Sequence, residues 1–253
     1  ECKTQRVDNV RVFAVRATTA ARSGTMAGAV PAKHVFEAVA IGEGEAALAA
    51  KHLGIDTAGN SFPTAIGVLV LNGAEDTLIG SDEDSVSDAL ETNVIAYQTF
   101  AGIWTTGGGS ESIGSLITGN KIGIDPSGTR RAGNNIGIFV DSPLVRSTSN
   151  LIGANGVGIQ VGANAVGTVL KDNYIGTDAT QSLALGNNIG IDLSAASTAT
   201  DGQNLVVAYN TIGFRGNAVI DASGGTRTSY FANTQLAIDV GGSGVTLNDS
   251  PDS

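Results

Sequence analysis

The chain repeats itself in a unit of two parts. Asn173-Tyr-Ile-Gly-Thr-Asp178 is followed by Gly190-Ile-Asp-Leu193. The same pair recurs as Asn120-Lys-Ile-Gly-Ile-Asp125 with Gly137-Ile-Phe-Val140, and more weakly as Lys51-His-Leu-Gly-Ile-Asp56 with Gly67-Val-Leu-Val70. This self-similarity constrains the fold more than anything else in the sequence. Each part is too short to bury an apolar face alone, so the units must stack. Asn-x-Ile sites fall at Asn93, Asn120, Asn150, Asn173 and Asn210. They alternate with Gly-Ile sites at Gly102, Gly137, Gly158 and Gly190, then less regularly at Ala218 and Ala237. The step from the first kind to the second is short from Asn93 to Gly102, from Asn150 to Gly158 and from Asn210 to Ala218. It is about twice as long from Asn120 to Gly137 and from Asn173 to Gly190. A short coil therefore alternates with one that carries an extra turn beginning at the recurrent Asp.

Each part reads as three or four residues of strand. Side chains alternate between faces, so Ile138 and Val140, Ile159 and Val161, Ile191 and Leu193, and Ile238 and Val240 share an inner face. Successive Gly-Ile sites are unevenly spaced. Gly137 to Gly158 and Ala218 to Ala237 are close, which suits one turn of a parallel β-helix. Gly67 to Gly102 and Gly102 to Gly137 are farther apart, which suits a turn plus a loop. Seven rungs are visible from Gly67 to Val240, and Val10–Val15 and Val35–Ile41 offer one or two more. The expectation is an all-β, right-handed parallel β-helix (a solenoid) of roughly 8–9 rungs, about 40 Å long at the usual strand spacing. Residues 51–240 form the repeats, 1–50 an N-terminal portion with a rung or cap and a loop, and 241–253 a polar tail. Glu43 to His52 has helix-forming composition with acids first and a base last. It reads equally as a short flanking helix or as a strand with an unusual loop.

Composition agrees. Gly makes up 35 of 253 residues, about twice the ordinary share, and Ile, Val, Thr and Asn outweigh helix formers, which favours strands and turns. The net charge is −10, with seven basic and nineteen acidic groups after residue 51. Such a surface repels nucleic-acid backbones and anionic membranes, so neither is expected as a partner. No apolar run reaches the length of a membrane span. Cys2 is the only cysteine, which excludes an internal disulfide. No leader is visible; either it has been removed or these residues belong to a longer chain.

Three groups of residues are candidates for a functional role. The first is the short segment 75–91, which carries seven carboxylates. Within it Asp82, Glu83, Asp84 and Asp88 could supply the oxygen ligands that Ca²⁺ prefers, although EF-hand spacing is absent and a solvated acidic loop is the plainer explanation. The second is the outward position of Gly-Ile-x-Val, which reads Leu69, Trp104, Phe139, Gln160 and Asp192 on successive rungs. Leu69, Trp104 and Phe139 would form an apolar strip, a mark of contact surfaces, unless the loop at 105–112 covers it. The strip has no Thr-x-Thr ladder, so ice binding is not indicated. The third is the recurrent polar set. Asp56, Asp125 and Asp178 precede tight turns, where Asp accepts backbone N–H bonds. Asn120, Asn150, Asn173 and Asn210 suit hydrogen bonding along the stack and left-handed corners.

Together these features resemble the bacterial secreted right-handed parallel β-helix repeat proteins built from Asn-x-Ile-Gly-Thr-Asp units. The units at 51–104, 120–161 and 173–193 carry the resemblance, with the ending Leu236-Ala-Ile-Asp-Val-Gly-Gly-Ser-Gly-Val-Thr-Leu-Asn-Asp249. Ser243 stands where that ending usually has an acid, and the unit at Asn150 lacks the longer loop. The resemblance implies an extracellular or cell-surface protein and implies no reaction. Parallel β-helices also carry polysaccharide lyases, hydrolases and epimerases, but fold is not function. Bases on the repeats are few, and no nucleophile, zinc or phosphate-loop motif is present. The reading is a non-catalytic rod, a filament, matrix or adhesin-type element that acts by self-association or surface contacts, with no required cofactor and Ca²⁺ as a candidate. The alternative is a polysaccharide-binding or carbohydrate-active module working through Leu69, Trp104 and Phe139.

Overall fold

A computed structural model describes the strands between residues 3 and 42, and residues 47–239 apart from 72–73, 75, 87, 108–113, 196–199, 217–219 and 222–227. The tail 241–253 and the loop at 17–35 lie outside the described residues. The chain opens with β1 (Lys3–Val7), β2 (Val10–Arg16) and β3 (Phe36–Gly42). β1 and β2 pair antiparallel, and β2 pairs antiparallel with β3. The first parallel rung is therefore β3, and the strand at Val10–Val15 is a hairpin arm rather than a rung.

Among the described residues, seven coils of three strands follow. The first is β4 (Ala47–Leu48), β5 (His52–Leu53) and β6 (Ile66–Val70). The second is β7 (Leu78–Gly80), β8 (Val94–Ile95) and β9 (Ala101–Thr106), with the four-residue helix α1 (Asp88–Glu91) between its first two strands. The third is β10 (Leu116–Thr118), β11 (Lys121–Ile122) and β12 (Ile136–Asp141). The fourth is β13 (Arg146–Thr148), β14 (Leu151–Ile152) and β15 (Val157–Val161). The fifth is β16 (Val169–Lys171), β17 (Tyr174–Ile175) and β18 (Ile189–Leu193). The sixth is β19 (Thr200–Gln203), β20 (Val206–Ala208) and β21 (Ile212–Gly216). The seventh is β22 (Ile220–Asp221), β23 (Ser229–Phe231) and β24 (Leu236–Asp239).

Like strands of successive coils pair in parallel and make three faces of a right-handed parallel β-helix. The longest ladder runs from β3 through β6, β9, β12, β15, β18 and β21 to β24, eight rungs among the described residues. The segment at Glu43–His52 contributes strands β4 and β5. Inward residues stack in register: Leu53, Ile95, Ile122, Ile152, Ile175 and Val207 on the second face, and Val68, Ile103, Ile138, Ile159, Ile191 and Phe214 on the third. All but Phe214 are fully buried, and it is nearly so. Each such side chain is worth about 1.5–3 kcal/mol of transfer free energy. Branched residues fit a pleated inner face, which is why Ile dominates.

At two corners of the coil a left-handed residue recurs, in most coils before an Asn. At the first corner Gly119, Ser149 and Asp172 have φ of 65°, 54° and 52° and precede Asn120, Asn150 and Asn173. At the second, Tyr97, Ala154, Tyr209 and Ala232 (φ 60°, 62°, 58° and 50°) precede Gln98, Asn155, Asn210 and Asn233. The register places Asn210 at this second corner, whereas the sequence pattern groups it with Asn120, Asn150 and Asn173. Val206-Val207 pairs with Tyr174-Ile175, so Leu205 takes the first-corner position in the sixth coil. Likewise Gly213-Phe214 occupies the Gly-Ile position there, not Ala218. The cause is degeneracy: Asn120-Lys-Ile-Gly at the first corner and Asn134-Asn-Ile-Gly at the second are nearly the same motif in one coil.

Candidate functional site

The recurrent polar residues are bound up within the scaffold. In the second-corner ladder, each Asn Oδ1 accepts the backbone and side-chain N–H groups of the Asn one coil earlier. Asn134 donates to Asn155 by both groups at 3.0 Å, Asn155 to Asn187 at 2.9 and 3.1 Å, and Asn187 to Asn210 at 2.9 Å. Asn210 donates to Asn233 at 3.0 and 3.1 Å. The same Nδ2 groups also donate to core carbonyls such as Ile95 and Ile122. The first-corner ladder is built alike: Asn93 to Asn120, Asn120 to Asn150, and Asn150 to Asn173, at 2.9–3.0 Å between side chains. Apart from the half-buried Asn233 these amides are buried, and all are partnered, as interior polar groups must be.

The three recurrent aspartates anchor the long loops of coils one, three and five. Asp56 accepts the N–H groups of Ala58 and Asn60, and Asp125 those of Thr129 and Arg130 with the Ser127 hydroxyl. Asp178 accepts the N–H groups of Thr180, Ser182 and Leu183. Burial alone would raise these carboxyls, but the donated bonds outweigh it. All three lie below the usual carboxylate range, and Asp178 is held at about 2.

The long loops of the third and fifth coils fold back over the corner of the short coil before them. Tyr97 N–H donates to Ala132 O at 3.1 Å, and Ala154 N–H to Leu185 O at 2.6 Å. Arg131 Nη2 bonds across to Gly186 O at 2.7 Å. Ile55, Val94, Ala96 and Ala132 form a small apolar cluster beside the first of these roofs. Sequence reading sees the extra residues but not that they lie on their neighbours.

The outer strip of the third face reads Leu69, Trp104, Phe139, Gln160, Asp192, Arg215 and Asp239 in register. Leu69, Trp104 and Phe139 are adjacent and only half-buried. The Trp104 and Phe139 rings lie stacked and nearly parallel, 5.8 Å apart at 9°, and Phe100 meets both edge-on at 5.3 and 6.2 Å. Each ring thus turns a face toward the other along the rod, a favourable aromatic arrangement. The loop that could cover the strip lies mostly outside the described residues. The strip then becomes charged. Asp192, Arg215 and Asp239 occupy three successive rungs, and Arg215 Nη2 holds Asp192 Oδ2 at 2.5 Å. Burial pushes the Asp192 carboxyl up, but the Arg215 bond and charge bring it below the usual range.

In the acidic loop, carboxylate oxygens of Asp82, Asp84 and Asp88 lie within 4.8 Å of one another. Glu83 turns elsewhere, accepting the Thr118 hydroxyl at 2.6 Å. Asp82 and Asp84 each cap a backbone N–H two residues on, at Asp84 and Val86. These three carboxylates could hold Ca²⁺, which would need several further oxygens from water or carbonyls.

No protein-family model matches the chain, and no curated protein matches it. Among the described residues no helix is long and apolar enough to cross a membrane.

Proposed function

We propose that this protein is a non-catalytic rod that works outside the cell, as an element of a surface, matrix or filament or as an adhesin stalk. The observation that carries the proposal is how the repeat's polar groups are used. Both Asn ladders and all three recurrent aspartates are consumed in holding the coils and their loops together. Glycoside hydrolysis needs a carboxylic acid whose pKa is raised; the recurrent aspartates and Asp192 are shifted the other way, so none of these four suits that role. The repeat type resembles that of secreted bacterial β-helix proteins, which supports the location.

Self-association fits the same geometry. Among the described residues the inner ladder of the third face runs as far as Ile238, which stays half exposed in the seventh coil. A further coil in register, contributed by a second copy, would continue that ladder as each coil continues the last. Electron microscopy of the purified protein, with and without Ca²⁺, tests this. Regular filaments or lateral arrays are the expected result; isolated short rods in both conditions at high concentration would overturn assembly. A Ca²⁺-dependent difference would assign the acidic loop to the contact.

The second reading is polysaccharide binding through Leu69, Trp104 and Phe139. Its support is the half-buried aromatic pair. The stacking of the two rings on each other argues against it, because a sugar packs on a ring face. Loss of glycan binding in Trp104→Ala, with assembly unchanged, would establish it.

A further inference from the structure

The second face carries a groove that runs along the rod, with a volume of about 620 Å³, within the range of ordinary ligand sites. Its floor is one outward residue per coil: Lys121, Leu151, Tyr174 and Val206, aligned by the parallel register of β11, β14, β17 and β20. One wall is the row of first-corner residues, including Ser149, Asp172 and Asn204, whose backbone is left-handed. The other wall is the long loop of the fifth coil, through Ala179 and Gln181. That loop is fixed at its base by Asp178, and the Tyr209 hydroxyl ties it down by donating to Gln181 O at 3.2 Å. The groove is thus built from rigid parts.

Its chemistry narrows the occupant. Its two charged lining residues, one of each sign, are engaged locally. Lys121 Nζ donates to Pro126 O at 2.6 Å, and Asp172 accepts Asn204 Nδ2 at 2.6 Å beside Lys171 at 3.7 Å. What remains is a half-buried Tyr174, flanked by the aliphatic Leu151 and Val206 and rimmed by amides and hydroxyls. Among the described residues the Tyr174 ring stacks on no other aromatic. An aromatic ring between aliphatic neighbours, with amides, hydroxyls and one charge of each sign (Lys121 and Asp172) around it, suits a chain of pyranose rings, apolar on their faces and hydroxylated around their rims. The floor repeats at the strand spacing of about 4.8 Å, and a pyranose unit is about as long as one rung is tall. The protein's net charge of −10 disfavours an acidic polymer.

We propose that this groove binds a neutral linear polysaccharide lying along the rod axis, with Tyr174 as its platform. The inference rests on the reading of the protein as a surface-contact rod, but it assigns the contact to a different face from Trp104. The test is affinity electrophoresis followed by calorimetry, with soluble β-glucan, galactomannan, xylan and dextran as neutral probes and alginate and polygalacturonate as acidic ones. Retardation by a neutral polymer is expected. Tyr174→Ala should weaken binding about tenfold or more, Tyr174→Phe by less, and Trp104→Ala not at all. Tyr174→Phe keeps the ring and safeguards the test if the alanine variant misfolds, which circular dichroism would show. No binding of any neutral polymer, binding of the acidic ones alone, or indifference to both Tyr174 variants would overturn the proposal. Binding lost in Trp104→Ala would overturn it too, and would transfer the contact to the third face. Microscopy of the same sample reads assembly separately, so filaments without glycan binding would leave the rod reading standing and remove only this one.

Discussion

Replacing Asn155 by alanine isolates what one member of an amide ladder contributes. Asn155 is 2% exposed. Its Oδ1 accepts Asn134 N–H and Nδ2 at 3.0 Å, and its Nδ2 donates to Ile122 O at 3.2 Å and Asn187 Oδ1 at 3.1 Å. Truncation strands one buried donor outright, the Asn134 N–H, at about 1–3 kcal/mol. The other partners keep a bond each: Asn134 Nδ2 to Ile95 O, Ile122 O from Gly153 N–H, and Asn187 Oδ1 from Asn155 N–H. Their losses are the ordinary net value, about 0.5–1.5 kcal/mol apiece. A destabilisation of about 3–7 kcal/mol is expected, on the order of 10–20 °C in Tm for a chain of this size. Urea unfolding followed by circular dichroism measures it, with the slope watched because solenoids can unfold in sections. Gln160→Ala, outward on the third face, serves as the control and should stay within about 0.5 kcal/mol of wild type. Asn155→Asp should be at least as damaging at neutral pH. A carboxylate accepts from Asn134 but cannot donate to Ile122 O, and its deficit should shrink as acid protonates it. If Asn155→Ala costs less than about 1 kcal/mol, the ladders are passengers and the fold rests on apolar stacking alone.

Gly137→Ala should cost about 1–3 kcal/mol, since the new Cβ would lie 2.5 Å from Gly158 O in the next coil; thermal melts check it. The folded-state pKa of Asp178 is about 2, below its unfolded value near 3.9. Its contribution is therefore complete above the unfolded value and lost as pH falls through the folded one, and Asp56, Asp125 and Asp192 act in the same sense. Tm should fall across that window, less steeply in Asp178→Asn, as calorimetry at stepped pH would show. Trp104→Ala removes a half-buried ring with two aromatic contacts and should lower stability by about 1–3 kcal/mol. A Tm equal to wild type would mean that the aromatic cluster adds nothing to the rod.

Two of the three faces were legible in the sequence because their strands carry motifs. Asn-x-Ile marks the second face and Gly-Ile-x-Val the third, and their alternation predicts coil order, inner face and loop length. The first face escapes notice because strands such as Leu116–Thr118 and Arg146–Thr148 are too short to show a period. In the fourth coil the central inward position is Ser147, whose hydroxyl joins the Asn150 and Asn173 amides, so even apolarity is no guide there. The second Asn ladder was hidden by the shared motif at both corners. The outward line from Leu69 to Asp192 followed directly from strand alternation, and Arg215 was missed because the sixth coil was read out of register. The groove at Tyr174 had no sequence signal. Its lining comes from several coils, and its walls exist only once the corners and the long loop are in place.

The roofs over the short corners set how such a rod can change length. Along the second corner the steps are uneven, 21 from Asn134 to Asn155 and 32 from Asn155 to Asn187. Along the first corner they are 30 from Asn120 to Asn150 and 23 from Asn150 to Asn173. Single steps disagree, yet the two-step totals are the same at both corners. The structural repeat is therefore a pair of coils, one roofed and one roofing. A duplication or loss of a single coil sets two long loops side by side or leaves a corner bare. A change by the full pair keeps every roof in phase. Deleting Lys121 through Asn173 would join Asn120 to Tyr174 and bring Leu185 to the place where Ala132 meets Tyr97. Growth and shrinkage in such a lineage should proceed in steps of two rungs, about 10 Å of rod.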